Sequence, residues 1–96
     1  MADLAFTWDP GKAAANARKH GVSFQEAETV FSDEHALLLD DPEHSADEDR
    51  FVLIGLSAAS RMVVVCHCYH ERADVIRLIS ARKATRTERQ TYAARW

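Results

Sequence analysis

The side chains best suited to chemistry crowd the carboxyl-terminal quarter of the chain. Residues 72–96 carry seven cations, Arg72, Arg77, Arg82, Lys83, Arg86, Arg89 and Arg95, against two acids, Asp74 and Glu88. Arginine offers a planar fork of donors matched to phosphate or carboxylate, and lysine offers a point charge. So basic a span, in a chain of formal net charge −3, is either a solvated surface or one that holds a polyanion. Its counterpart lies upstream, where residues 33–49 hold eight acids and no Lys or Arg. Charge segregated on this scale speaks of interaction more than of fold.

Other candidate groups are fewer. His67 stands in VVVCHCYH, on a predicted strand with Val63, Val65 and Tyr69 on its side by parity. An imidazole there is either a satisfied core group or an acid–base group titrating near neutrality. Cys66, Cys68 and His70 share the other face, a set that could hold zinc, but structural zinc sites take four ligands in separated pairs and no second pair is present. No metal or other cofactor is therefore expected. Cysteines at this spacing do not form a disulfide scaffold, which fits a reducing cytoplasm. Lys19 and His20 complement a helix C-terminus and are also possible phosphate contacts. Asp9, Ser23 and Glu26 are explained by helix capping. No phosphate loop, dinucleotide fingerprint, nucleophile elbow or HExxH motif occurs, so nucleotide-cofactor and hydrolase-triad chemistry lack support.

These residues need elements to position them. At 96 residues, 47% hydrophobic and 28% charged, the chain fits one soluble domain, 1–96. Its apolar runs fall far short of the roughly 20 residues of a membrane span, and its amino end lacks the features of a secretory signal. Leu4 to Trp8 alternates as a short strand. Asp9-Pro10 starts a helix that Gly21 ends, and Ser23-x-x-Glu26 has the spacing of a capping box for a second helix burying Phe24, Ala27, Val30 and Phe31. Strands follow at Ala36–Asp40, Phe51–Leu56, Met62–Tyr69 and Val75–Ala81, rich in branched residues. Thr85-x-x-Glu88 opens a last helix with Tyr92 and Trp96 on one face. The acidic stretch from Asp40 to Asp49 reads as a solvated hairpin connection or as an attractor for a basic partner segment. The order β-α-α-β-β-β-β-α predicts an α+β fold, an antiparallel sheet with helices packed on one face, and Arg77 inside a late, central strand.

Four stretches, FTWDPGKAAANARKHGVSF, EAETVFSD, DRFVLIGLS and IRLISARKATRTER, together resemble the BrnT toxins of bacterial type II toxin–antitoxin systems, from about Phe6 to Tyr92. The resemblance implies a RelE-like ribonuclease fold, RNA cleavage that arrests translation, and neutralisation by a BrnA-like antitoxin. That antitoxin would carry a ribbon-helix-helix DNA-binding segment, so DNA is met only indirectly. Lys12, Lys19 and His20 match the first block; Ile79 to Ala84 match the last, with Arg77 upstream. The expected reaction is metal-independent attack by the ribose 2′-OH. His67 is the expected acid–base group, Arg77 and Arg82 the charge stabilisers, Lys83 and Arg86 the backbone contacts, and Lys19 and His20 secondary contacts. The alternative is a catalytically inactive module that grips an antitoxin or RNA without cleaving it.

Overall fold

The computed structural model describes residues 4–41, 50–69 and 74–94. Its elements run β1 (Ala5–Thr7), α1 (Pro10–His20), α2 (Phe24–Val30), β2 (Leu37–Asp40), β3 (Arg50–Leu56), β4 (Met62–Tyr69), β5 (Val75–Lys83) and α3 (Arg86–Ala93). The order is the one expected. Residues 42–49, His70, Arg72, Arg95 and Trp96 lie outside the described residues, and with them most of the acidic stretch and one member of the Cys66, Cys68, His70 set.

Two expectations about layering require correction. The five strands form one sheet in the order β1-β5-β4-β3-β2, and β1 runs parallel to β5 while every other pair is antiparallel. The sheet is therefore mixed. A parallel neighbour needs a crossover, and everything from α1 to β4 supplies it. Consequently β4 is the central strand, and β5 lies between it and β1. The helices also divide between the two faces. Val22, Phe24, Ala27 and Val30 pack with Leu53, Val63, Val65, Ile76, Leu78 and Ala81 on one face. Tyr92 and Ala84 pack with Ile54 and Val64 on the other. Alternating side chains of β3 and β4 thus supply both cores, since neighbours on a strand face opposite ways.

Local chemistry sets the ends of the helices. Asp9 accepts from the Lys12 amide, Pro10 occupies the first turn, and Gly21 takes the left-handed conformation (φ 70°) that closes α1. Ser23 caps α2 by accepting from the Glu26 amide at 3.0 Å. The box there is only half made, however, because the Glu26 carboxylate turns away to Arg61 and to the Ser57 hydroxyl. At α3 both halves of the Thr85/Glu88 box form. Where α2 crosses β3 the backbones come close, and a Cβ on Gly55 would stand 2.9 Å from Val30 Cγ1 and 3.1 Å from Ala36 Cβ.

One side chain serves in place of a strand. β1 ends at Thr7, leaving the outer edge of β5 bare at Ala81. Asn16 fills it: its amide donates to Ala81 O at 2.8 Å and to Val22 O at 3.0 Å, and its oxygen accepts from Ala81 N at 3.1 Å. Buried backbone polar groups demand such partners, which explains a buried Asn in the middle of a helix otherwise made of strong helix formers.

Candidate functional site

The sheet face away from α1 and α2 carries Arg50, Arg77 and Arg82. Pairing of Arg50 with Cys68, of Cys68 with Arg77 and of Arg77 with Thr7 sets these residues in one row across four strands. The next row holds Val52, Cys66 and Ser80, and the third Ile54, Val64 and Arg82. Helix α3 covers the third row and leaves the first open.

A bulge makes this arrangement possible. Cys66 pairs with Ser80 but His67 pairs with Leu78, so β5 carries one extra residue around Ile79. Arg77 and Arg82 are an odd number of positions apart and would face opposite ways on a regular strand. The extra residue reverses the alternation and brings both to the same face. Their rows lie four β4 positions apart, roughly 13 Å at the usual strand rise.

The bulge also borders a narrow pocket of about 110 Å³, lined by Asp9, Lys12, Arg50, Arg77, Leu78 and Ile79. Three cations and one carboxylate therefore converge where the start of α1 meets the open face. The Arg77 side chain is exposed and makes no hydrogen bond or ion pair among the described residues. A guanidinium that is solvated, unpaired and neighboured by further positive charge is ready to bind an anion.

The other expected site residues lie elsewhere. Arg82 shares the face of Arg77, but its fork is spent on Glu88, with NH1 donating to Oε1 at 2.7 Å and NH2 to Oε2 at 2.8 Å. That pairing, aided by the Thr85 amide, holds the Glu88 carboxyl down at about 2 and raises Arg82. Lys83 belongs to the α1/α2 side, opposite Val63, and its charge helps to lower Glu26. Arg86 is exposed in the first turn of α3. Lys19 and His20 end α1, an 11-residue helix, roughly 10–12 Å of helical rise from Lys12 in its first turn.

His67 does not join the arginines. It lies on the opposite face, wholly buried, with its ring edge-on to Phe31 at 4.9 Å and to Tyr69 at 5.6 Å. Because Val65 O can only accept, the 3.1 Å contact fixes the proton on His67 Nδ1 and makes Nε2 the lone-pair nitrogen. Nε2 has no partner. Burial pushes its pKa down, which favours the neutral ring.

Cys66 sits on the arginine face, its thiol donating to Asp41 Oδ2 at 3.6 Å. Burial and the neighbouring carboxylate push that thiol up to about 11, so it is a protonated, sluggish nucleophile. Among the described residues no three His, Cys, Asp or Glu side chains form a metal-binding group.

Sequence reasoning assigned no site role to Arg50, Lys12 or Asp9. Lys12 and Arg50 lie inside matched motif stretches, and that was the available signal. Their convergence on Arg77 depends on strand register and on where α1 begins.

The fold and site define a small α+β protein with one mixed sheet, helices on both faces and a basic row on the open part of one of them. The family model described as the ribonuclease toxin BrnT of type II toxin–antitoxin systems matches residues 8–88, and the chain belongs to that family. The crystal structure of the Brucella abortus ribonuclease toxin BrnT is similar, with a TM-score of 0.67 and 25% sequence identity over 86% of this chain and 99% of that one. No curated protein matches the chain in sequence. Among the described residues no helix is long and apolar enough to cross a membrane.

Proposed function

We propose that this member of the ribonuclease toxin family cleaves single-stranded RNA by attack of the ribose 2′-OH on the adjacent phosphorus, with no metal, at the pocket beside Arg77. The observation that carries the reading is the exposed Arg77 guanidinium, unpaired among the described residues and flanked by Arg50 and Lys12. In the reaction the 2′ oxygen loses its proton and bonds to phosphorus, the bond to the 5′ oxygen breaks, and that oxygen takes up a proton. The products are a 2′,3′-cyclic phosphate and a 5′ hydroxyl.

Negative charge accumulates on the non-bridging oxygens at the pentacoordinate stage. Fixed donors aimed at them lower the barrier most. Arg77 is the fork for that task, with Arg50 and Lys12 supplying field and backbone contact. Asp9, the carboxylate of the pocket, is the group suited to accept the 2′-OH proton. Arg82 acts in this scheme through α3, which it anchors, and Lys83, Arg86, Lys19 and His20 extend the positive surface as outer contacts. His67 is given a structural role, since substrate contact would require its burial to be undone. The antitoxin would be BrnA-like, with DNA met only through its ribbon-helix-helix segment.

The test is degradation of single-stranded RNA by the purified chain in EDTA, with end-group analysis of the products. Arg77→Ala is expected to slow cleavage about 10²- to 10³-fold, as loss of a charge-stabilising donor does. Its unfolding midpoint should hold, because the residue is exposed and unpaired. Asp9→Asn keeps a good helix cap and should lose most of the activity. Wild-type rates in Arg77→Ala would end the reading. So would activity abolished by chelator and restored by zinc, which would move attention to Cys66 and Cys68.

A further inference from the structure

At the edge of the sheet opposite β1, next to β3, β2 forms a strand of four residues, LLLD. Asp41 N donates to Arg50 O at 3.0 Å, and the same register pairs Leu39 with Val52 and Leu37 with Ile54. Bonded and non-bonded pairs alternate along an antiparallel ladder. Residues 37, 39 and 41 therefore bond to β3, while Leu38 and Asp40 turn their N–H and C=O groups outward.

The side chains of this edge are unlike those that normally protect one. Proteins blunt exposed edges with charge, proline or a covering element. Here consecutive leucines on opposite faces are both solvated, Leu38 at 48% and Leu39 at 43%, with Leu56 of the neighbouring strand at 43%. Exposed apolar side chains beside backbone groups that no described residue pairs form a template for strand addition. Leu56 also borders an open depression of about 400 Å³ with Thr29, Asp33 and Ala58, able to receive an apolar side chain from an added strand.

Charge selects the occupant. β2 lies within the span 33–49 that holds eight acids and no Lys or Arg, and both Glu34 before it and Asp40 at its end are exposed. A second copy adding antiparallel would set each acidic flank against the other, which is repulsive. A cationic segment would meet complementary charge at both ends.

We propose that the outer edge of β2 binds an extended segment of a protein partner, one that alternates apolar side chains with Lys or Arg and adds as a sixth strand. This surface is the outer edge of β2, three strands from Arg77 on β5, and the proposal does not depend on whether the chain cleaves RNA.

The test uses the isotope-labelled full chain, followed by amide NMR and titrated with a short synthetic peptide alternating valine and arginine. The same peptide with glutamate for arginine, and one N-methylated at alternate amides, serve as comparators. The cationic peptide is expected to shift the amides of Leu37 to Asp40 and to slow exchange at Leu38 and Asp40, and neither comparator should do so. Leu38→Lys with Leu39→Lys should weaken binding by about tenfold, apolar contact giving way to like charge. Asp40→Asn, which removes only a charge, should weaken it less while leaving the spectrum of the free chain intact. Shifts centred on Lys12 and Arg77, equal binding of the acidic or N-methylated peptide, or self-association of the free chain through Leu37–Asp40 would each overturn the proposal. Cleavage of RNA is not read in this experiment, so failure of the nuclease reading would leave its outcome unchanged.

Discussion

At the scale of single residues the sharpest contrast is between Arg77 and His67, which lie one β4–β5 pairing apart and serve opposite environments. Arg77 is open to solvent and His67 is closed among Phe31, Phe51 and Tyr69, and among the described residues neither the guanidinium of the one nor Nε2 of the other has a hydrogen-bond partner. An imidazole held neutral by burial makes stability depend on pH. Its folded pKa lies below the ordinary value of 6.5, so the unfolded chain binds the proton more readily. Stability is therefore flat above about pH 6.5 and falls as pH drops below it toward the folded value. His67→Phe fills similar space without a proton site and should flatten that part of the curve. Urea unfolding across roughly pH 5 to 7 checks this, and an unchanged slope in the variant would assign the proton uptake to another group. The same variant, if folded and fully active on RNA, rules out an acid–base role for His67.

At the scale of elements, α3 is attached by a few specific contacts. Only Tyr92 of the helix is buried, and its hydroxyl donates to Asp33 Oδ2 at 2.7 Å. Asp33 in turn accepts from the Leu56 and His35 amides, so the helix is tied to the end of α2 and to β3 through one carboxylate. At the other end Glu88 serves both Arg82 and the Thr85 amide. Glu88→Gln keeps an oxygen to accept from the Thr85 amide but loses the part-exposed ion pair with Arg82, and should loosen the first turn and cost about 0.5–1 kcal/mol. Measured from high pH downward, the wild-type advantage should persist above about 4.5 and vanish as the pH falls through that value toward 2, since a carboxyl with a lowered pKa stabilises only while ionised. Equal stability of the two proteins at neutral pH would show that α3 is held by Tyr92 alone. The order of elements and the caps at Asp9, Gly21 and Thr85 were legible in sequence because caps and periodicity are local. The half-formed box at Ser23 was not, because Arg61, which draws Glu26 away, is remote in sequence.

At the scale of the whole molecule, the amino-terminal strand and helix are joined to the carboxyl-terminal strand by contacts spanning most of the chain. β1 pairs with β5, and Asn16 reaches Ala81 across 65 positions. Asn16→Ala would leave Ala81 N and O and Val22 O without partners inside the protein and should cost about 2–4 kcal/mol. Chemical denaturation measures this directly, and a loss below about 1 kcal/mol would mean that water replaces the amide readily. Loss of this clamp should also relax the approach of α1 to β5, and with it the position of Lys12 beside Arg77.

The sequence by itself determined the number, order and kind of the elements, the buried faces of α2 and the inner strands, and the segregation of charge. Each follows from periodicity, capping or composition, which act over a few residues. Only the tertiary structure decided that β1 lies parallel to β5, that α3 takes the face opposite α1 and α2, and that His67 is sealed from the arginines. It also decided that an extra residue near Ile79 returns Arg82 to the face of Arg77, and that Arg50 and Lys12 join that site while Glu88 occupies Arg82. These outcomes depend on strand register, where one inserted residue exchanges the two faces of a sheet, and no local signal in the chain records which partner a strand will choose.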